Sequence, residues 1–178
     1  VVLYGLDADL IMLGLIHSRY CKSIYLYRET PIFIKQLNRQ LDPNKHYFLN
    51  LQIFKQDILQ TMNHGPIQSN YQKNRLYDYI FLCFLLGNDF LPHFPALNIR
   101  KNGMNTILDC YNKTIKKTTK SIIYKNIIQW PLFRKFIVEL INQEEELIKK
   151  DHNHTISKIN SSWTIEERLN RLPQYNKR

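Results

Sequence analysis

The chain reads as an α/β segment with parallel strands that continues into an all-helical segment. Two observations predict this. Short β-like runs alternate with helical runs over residues 1–64, and strands alternating with helices favour a layered α/β arrangement. After His64-Gly65-Pro66 the patterning changes, and from Arg75 onward the apolar spacing is helical almost throughout.

The elements follow in order. Val1 to Gly5 is a short strand. Asp9 to Ile16 predicts a helix, with Leu10, Ile11, Leu13 and Leu15 crowded together. Ser23 to Tyr27 is a second strand and Tyr47 to Leu51 a third, entered through a turn at Asp42-Pro43-Asn44. Ile53 to Met62 is a helix. Tyr77 to Leu86 is a buried helix, opened by Asp78 as an N-cap or first-turn acid. Asn102 to Lys113 is amphipathic. Leu132 to Lys150 is the longest helix, with Phe136, Leu140, Ile141 and Leu147 on helical spacing. Ser161-Ser162-Trp163-Thr164-Ile165-Glu166 reads as a further helix start. Residues 112–126, NKTIKKTTKSIIYKN, are polar and basic and predict an exposed connection.

Composition narrows the class. A 44% hydrophobic and 12% aromatic chain is not disordered throughout. Its 178 residues suffice for one domain or pieces of two. The longest apolar run, Tyr79 to Gly87, falls far short of the roughly 18 residues a membrane span needs. The formal charge of +10, from 25 Lys+Arg against 15 Asp+Glu, favours polyanions as partners, nucleic acid first. An AT-rich genome, which enriches Lys, Asn, Ile and Tyr, is a second source of that excess. Cys21, Cys83 and Cys110 form no C-x-x-C pair, which argues against a disulfide framework or zinc site and fits a reducing compartment. Cys83 sits in the apolar run FLCFLL and reads as core. The chain opens at Val1, inside a strand, so the expectation is a fragment whose first part lies upstream.

The chemistry concentrates in two acidic stretches. In GLDADLIMLGL, residues 5–15, Asp7 and Asp9 stand in an otherwise apolar run. If the chain stays extended through Ala8, the two carboxylates project to one side. They fall at a strand-to-helix junction, the edge where α/β sheets place their sites. Paired buried carboxylates repel unless a cation compensates them, and hard Mg²⁺ or Mn²⁺ prefers such oxygen ligands. The competing reading is that Asp7 caps the helix beginning near Asp9. In FLLGNDFLPHFP, residues 84–95, a buried helix ends at Gly87 and Asn88-Asp89 follow in a proline-stiffened turn. An anion at the negative end of a helix dipole is unfavourable, which again points to a bound cation; a helix C-cap and turn is the alternative.

These motifs resemble the XRN family of 5′→3′ exoribonucleases. The resemblance rests on YGLDADLIMLGL (4–15), YLYRET (25–30) and RLYDYIFLCFLLGNDFLPHFPALNIRKNGMNTILDCY (75–111). It is fainter through IIQWPLFRKFIVELINQEEELI and WTIEERLNRLPQYNKR. More distantly, a D-x-D and a later G-[NS]-D are shared with flap-endonuclease-like nucleases, which have PIN-like α/β cores. The resemblance implies that residues 1–64 are the C-terminal part of the α/β nuclease domain. Residues 65–178 would be a helical-domain segment packed on the same core. It implies metal binding by Asp7, Asp9 and Asp89, with two Mg²⁺ (or Mn²⁺) ions in the complete site. The implied substrate is single-stranded RNA with a 5′ monophosphate. Further acidic ligands and the 5′-phosphate pocket would lie upstream, in a part of the protein needed to complete the site. The family occupies the cytoplasm and the nucleus; the cytoplasm is the expectation, the nucleus the alternative.

The remaining candidates are weaker. Asn88 either orients Asp89 or forms the turn. His93 either contacts phosphate or packs against Phe94, and packing is favoured. Arg100 and Lys101 are candidates to line an RNA path through backbone contacts. Glu144-Glu145-Glu146 reads as a solvated helix face. Asp151-His152-Asn153-His154 has a metal-clip spelling but reads as an exposed turn. Two rivals stand beside the exoribonuclease reading: a catalytically inactive RNA-binding fragment, and a flap-endonuclease-like structure-specific nuclease. Against the latter, LPHFPALNI follows the GND motif where flap endonucleases carry a glycine-rich helix–turn–helix.

Overall fold

A computed structural model describes residues 1–5, 7–27, 41–42, 44–63, 65, 67, 69–94, 97 and 102–162. The first layer is a three-stranded sheet of β1 (Val2–Tyr4), β2 (Tyr25–Tyr27) and β3 (Phe48–Asn50), in that order. β1 pairs parallel with β2, and the helix α1 (Asp9–His17) makes the crossover. β3 pairs antiparallel with β2, so the expectation of parallel strands holds for one pairing only. The Asp42 turn is present: Asp42 Oδ1 accepts from the Asn44 amide at 2.9 Å.

The sheet is two-sided in character. Leu26 is buried beneath the helices, whereas Val2, Tyr4 and Phe48 are exposed on the strands around it. Tyr4, Tyr27 and Phe48 are cross-strand neighbours, and their rings meet at 5.7 Å and 5.1 Å.

Helix α2 (Leu51–Met62) starts directly from β3. Asn50 caps it, its side chain accepting from the amides of Gln52 and Ile53. Leu51, Ile58, Leu59 and Met62 form its buried stripe. Gly14 permits the close crossing of α1 over α2, since a Cβ there would stand 2.3 Å from Leu51 Cδ1.

Helix α3 spans Asn70–Cys83, two turns earlier than its apolar residues alone predict. The signal for that start is SNYQ, residues 69–72, which forms a capping box. Ser69 Oγ accepts from the Gln72 amide (3.2 Å), and Gln72 Oε1 from the Ser69 amide (2.9 Å). Asp78 is therefore mid-helix and wholly buried, not a cap. A short 3₁₀ turn, Phe84–Leu86, closes α3.

Helix α4 (Gly103–Tyr111) buries Gly103, Thr106, Ile107, Cys110 and Tyr111 and widens into a single π-type turn at Asn112–Lys116. The stretch read as an exposed connection is anchored in the interior at four positions, while Lys113, Lys117, Lys120 and Lys125 stay exposed. Ile115, Ser121 and Ile122 are fully buried, and Thr114 nearly so. It ends in a hairpin, β4 (Ile123–Tyr124) and β5 (Ile127–Ile128), inside the segment expected to be purely helical.

Helix α5 (Trp130–Ser162) runs on past Lys150. Asp151–His154 is thus helical rather than a turn, and Ser161-Ser162 lies in the helix rather than starting one. Residues 163–178, the rest of that expected helix start, lie outside the described residues. Phe136 and Leu140 are its buried contacts, while Ile141 is half exposed, off the face the spacing assigned to it. Glu146 is exposed and Glu144 half-buried. One core joins both layers: Leu15, Ile58, Leu59 and Met62 pack with Leu76, Ile80, Ile107, Phe136 and Leu140.

Candidate active site

The site begins where β1 gives way to α1. Ala8 is helical, with φ −63° and ψ −26°, so the chain is not extended between the two carboxylates. Asp7 and Asp9 therefore do not share one side by strand alternation. Nor does Asp7 cap α1: Ala8 is the N-cap, without a side-chain hydrogen bond, and Asp7 contributes only its carbonyl, to the Leu10 amide at 3.2 Å. Asp9 stands in the first turn, where an acid is favoured by the helix dipole.

Asp9 opens onto a cleft of about 240 Å³ between α1, α3 and the turn after α3. Met12, Tyr79 and Cys83 form its apolar walls, and Gly87 and Asn88 face Asp9 across it. Burial pushes the Cys83 thiol up to about 12, so it is a wall and not a nucleophile.

The turn carrying Asp89 is built to be stiff. Asn88 Oδ1 accepts from the amides of Phe90 (2.9 Å) and Leu91 (2.8 Å), and the Asn88 amide donates to Leu91 O. Asn88 thus forms the turn. Gly87, at φ 81° and ψ 160°, occupies a region essentially reserved for glycine. A Cβ at Gly87 would also stand 2.7 Å from the His93 amide nitrogen. The Phe94 amide then returns to Leu85 O at 2.8 Å, closing the loop on the helix end. His93 is exposed, its Nδ1 2.9 Å from Phe94 O, rather than packed on the Phe94 ring.

Asp9 thus lies on the cleft, while Asp7 and Asp89 are exposed, Asp89 next in sequence to a cleft residue. Among the described residues no three His, Cys, Asp or Glu side chains come close enough to hold a metal ion. Arg100 and Lys101 lie outside the described residues.

Sequence reasoning missed a buried polar group on α3. Arg75 and Asp78, one turn apart on α3, are both fully buried. The Arg75 guanidinium donates to the carbonyls of Met62 (2.9 Å), Ile115 (3.2 Å), Lys116 (3.2 Å) and Lys120 (3.0 Å), and to that of Thr118. It thereby serves the carbonyl ends of α2 and the π-type turn together. Asp78 accepts from the Tyr111 hydroxyl (2.6 Å) and the amides of Ile122 (2.9 Å) and Ile123 (2.7 Å). Burial raises its carboxyl to about 6, against the pull of those donors and of Arg75. The available signal was a charged pair within RLYDYI, a run otherwise reading as core.

Residues 70–178 match the family described as the Xrn1 helical domain, and the chain belongs to that family. It is 32% identical over 168 residues to a 5'-3' exoribonuclease 1 of Schizosaccharomyces pombe, covering 89% of this chain and 12% of that protein. It is 30% identical over 166 residues to a 5'-3' exoribonuclease 2 of Candida albicans, covering 84% and 17%. The chain therefore spans less than a fifth of the length of these relatives.

Proposed function

We propose that this chain is part of a metal-dependent 5′→3′ exoribonuclease with a PIN-like α/β core, acting on single-stranded RNA that carries a 5′ monophosphate. The observation that carries the proposal is the cleft: Asp9, in the first turn of α1, faces the Gly87–Asn88 turn that delivers Asp89. The relatives' own names, 5'-3' exoribonucleases, support the reaction class.

The carboxylates suit hard divalent ions, Mg²⁺ or Mn²⁺, in kind but not in number. Asp7, Asp9 and Asp89 are the ligands this chain would contribute, and further acids must come from the rest of the polypeptide. Bound ions would supply an activated water and charge stabilisation at the scissile phosphodiester. The chain's own part is positional. α1 holds Asp9 at a fixed helix start, the Asn88 turn fixes the backbone at Asp89, and the apolar walls limit water in the cleft.

The test is decay of 5′-monophosphorylated single-stranded RNA by the full-length protein. Asp9→Ala or Asp89→Ala should abolish it while the circular dichroism spectrum is kept. Near-parental rates in either variant would overturn the assignment. Preferential cutting of flapped DNA would instead select the structure-specific nuclease. RNA binding without cleavage in Mg²⁺, consistent with the +10 charge, would select the inactive binding fragment.

A further inference from the structure

A second concavity lies between α3 and the β4–β5 hairpin, formed by residues the proposed cleavage does not use. It measures about 400 Å³. Lys73, Asn74 and Tyr77 line it from the exposed side of α3, Lys125 and Asn126 from the hairpin tip, and Arg19 from the turn after α1. With Asn70 and Tyr124 also in the lining, three cations converge with three amides and two phenols. No acidic side chain lines it among the described residues.

The groove is built rather than incidental. Lys125 and Asn126 form the two-residue tip of the hairpin at φ 50° and 62°, left-handed values at which glycine is the usual residue. A lysine is held there against backbone preference. Behind it the hairpin is pinned to α3 by Asp78, through the amides of Ile122 and Ile123, and by the Tyr71–Tyr124 stack at 3.9 Å. The two walls are therefore fixed before any ligand arrives, and little ordering remains to oppose binding.

We propose that this groove binds the phosphate backbone of a single-stranded RNA segment, with Lys73, Lys125 and Arg19 on phosphates and Asn74 and Asn126 on sugar or base edges. Amides beside the cations favour a strand with polar edges over a simple polyanion, and the inference goes beyond the cleavage reading because it needs neither metal nor the acidic cleft.

The experiment is fluorescence anisotropy of a labelled ten-nucleotide oligouridylate with the 178-residue chain in EDTA, across a salt series. In single-strand binding each neutralised phosphate contributes about 0.7 to the slope of log affinity against log salt. The double variant Lys73→Ala/Lys125→Ala should lower that slope by about 1.4 and weaken binding about tenfold at low salt. The pair Lys55→Ala/Lys117→Ala, which does not line the groove, should change both far less. Equal losses from the two pairs would overturn the groove, since net charge alone would then explain binding. So would an unchanged slope in the first pair, or displacement of the RNA by polyglutamate at equal charge concentration. In the full-length protein Asp9→Asn should lose cleavage in Mg²⁺ while RNA binding in EDTA stays intact, so failure of one proposal is distinguishable from failure of the other.

Discussion

Asp78 and Arg75 show what a buried charge does at the scale of a single residue. Removing Asp78 leaves the Tyr111 hydroxyl and the amides of Ile122 and Ile123 buried without their acceptor, at a cost of about 3 kcal/mol or more in sum. Asp78→Ala should therefore destabilise the chain by that amount in urea unfolding at pH 7, and a loss under 1 kcal/mol would refute the bracing role. The pH dependence has a definite sign. Burial raises the carboxyl from 3.8 to about 6, so the folded state holds its proton more tightly than the unfolded state does. The stability this group contributes is greatest below about pH 4 and is lost as pH rises through about 6. At about 1.4 kcal/mol per unit, the parent should lose about 3 kcal/mol relative to Asp78→Asn between pH 4 and pH 7. A flat difference would mean the carboxylate is ionised throughout.

Elements here are set by local chemistry and then adjusted by their neighbours. The Ser69–Gln72 box starts α3 two turns before its first buried apolar residues, which brings Lys73 and Asn74 into the helix and so into the groove. Ser69→Ala should cost about 1 kcal/mol and speed hydrogen exchange at the first α3 amides. Unchanged exchange would mean tertiary contacts alone hold that turn. The third strand shows the converse. Its apolar run was readable, but its direction was not, because antiparallel pairing with β2 depends on where the segment before it returns. The hairpin went unread for a related reason. Its strands are two residues each, too short for any alternation to register, and Asp78 and Tyr71 hold them against α3.

At the scale of the molecule, one hydrophobic cluster joins the sheet-side helices to the helical body. Within the described residues, no helix is long and apolar enough to cross a membrane. Leu15, on α1, is fully buried in the cluster that also holds Phe136 and Leu140 of α5. Leu15→Ala should cost about 2–5 kcal/mol. Exchange protection at the α5 amides should fall together with protection in α1, as a single cooperative unit requires. Loss confined to α1 would show two independently stable parts.

The sequence by itself determined the order and type of most elements, the two acidic stretches and the family they resemble. Those are properties of short windows, in which apolar spacing, caps and turn residues act on their own neighbours. Tertiary structure decided the rest. It made Ala8 helical, so strand alternation does not set how Asp7 and Asp9 project. It buried Thr114, Ile115, Ser121 and Ile122 within a basic, polar-looking stretch and placed Asp78 against amides 44 and 45 residues away. It also brought Arg19, Lys73 and Lys125 to one groove. Contacts over such separations have no periodicity to read, because their energy arises only once the intervening chain has folded back.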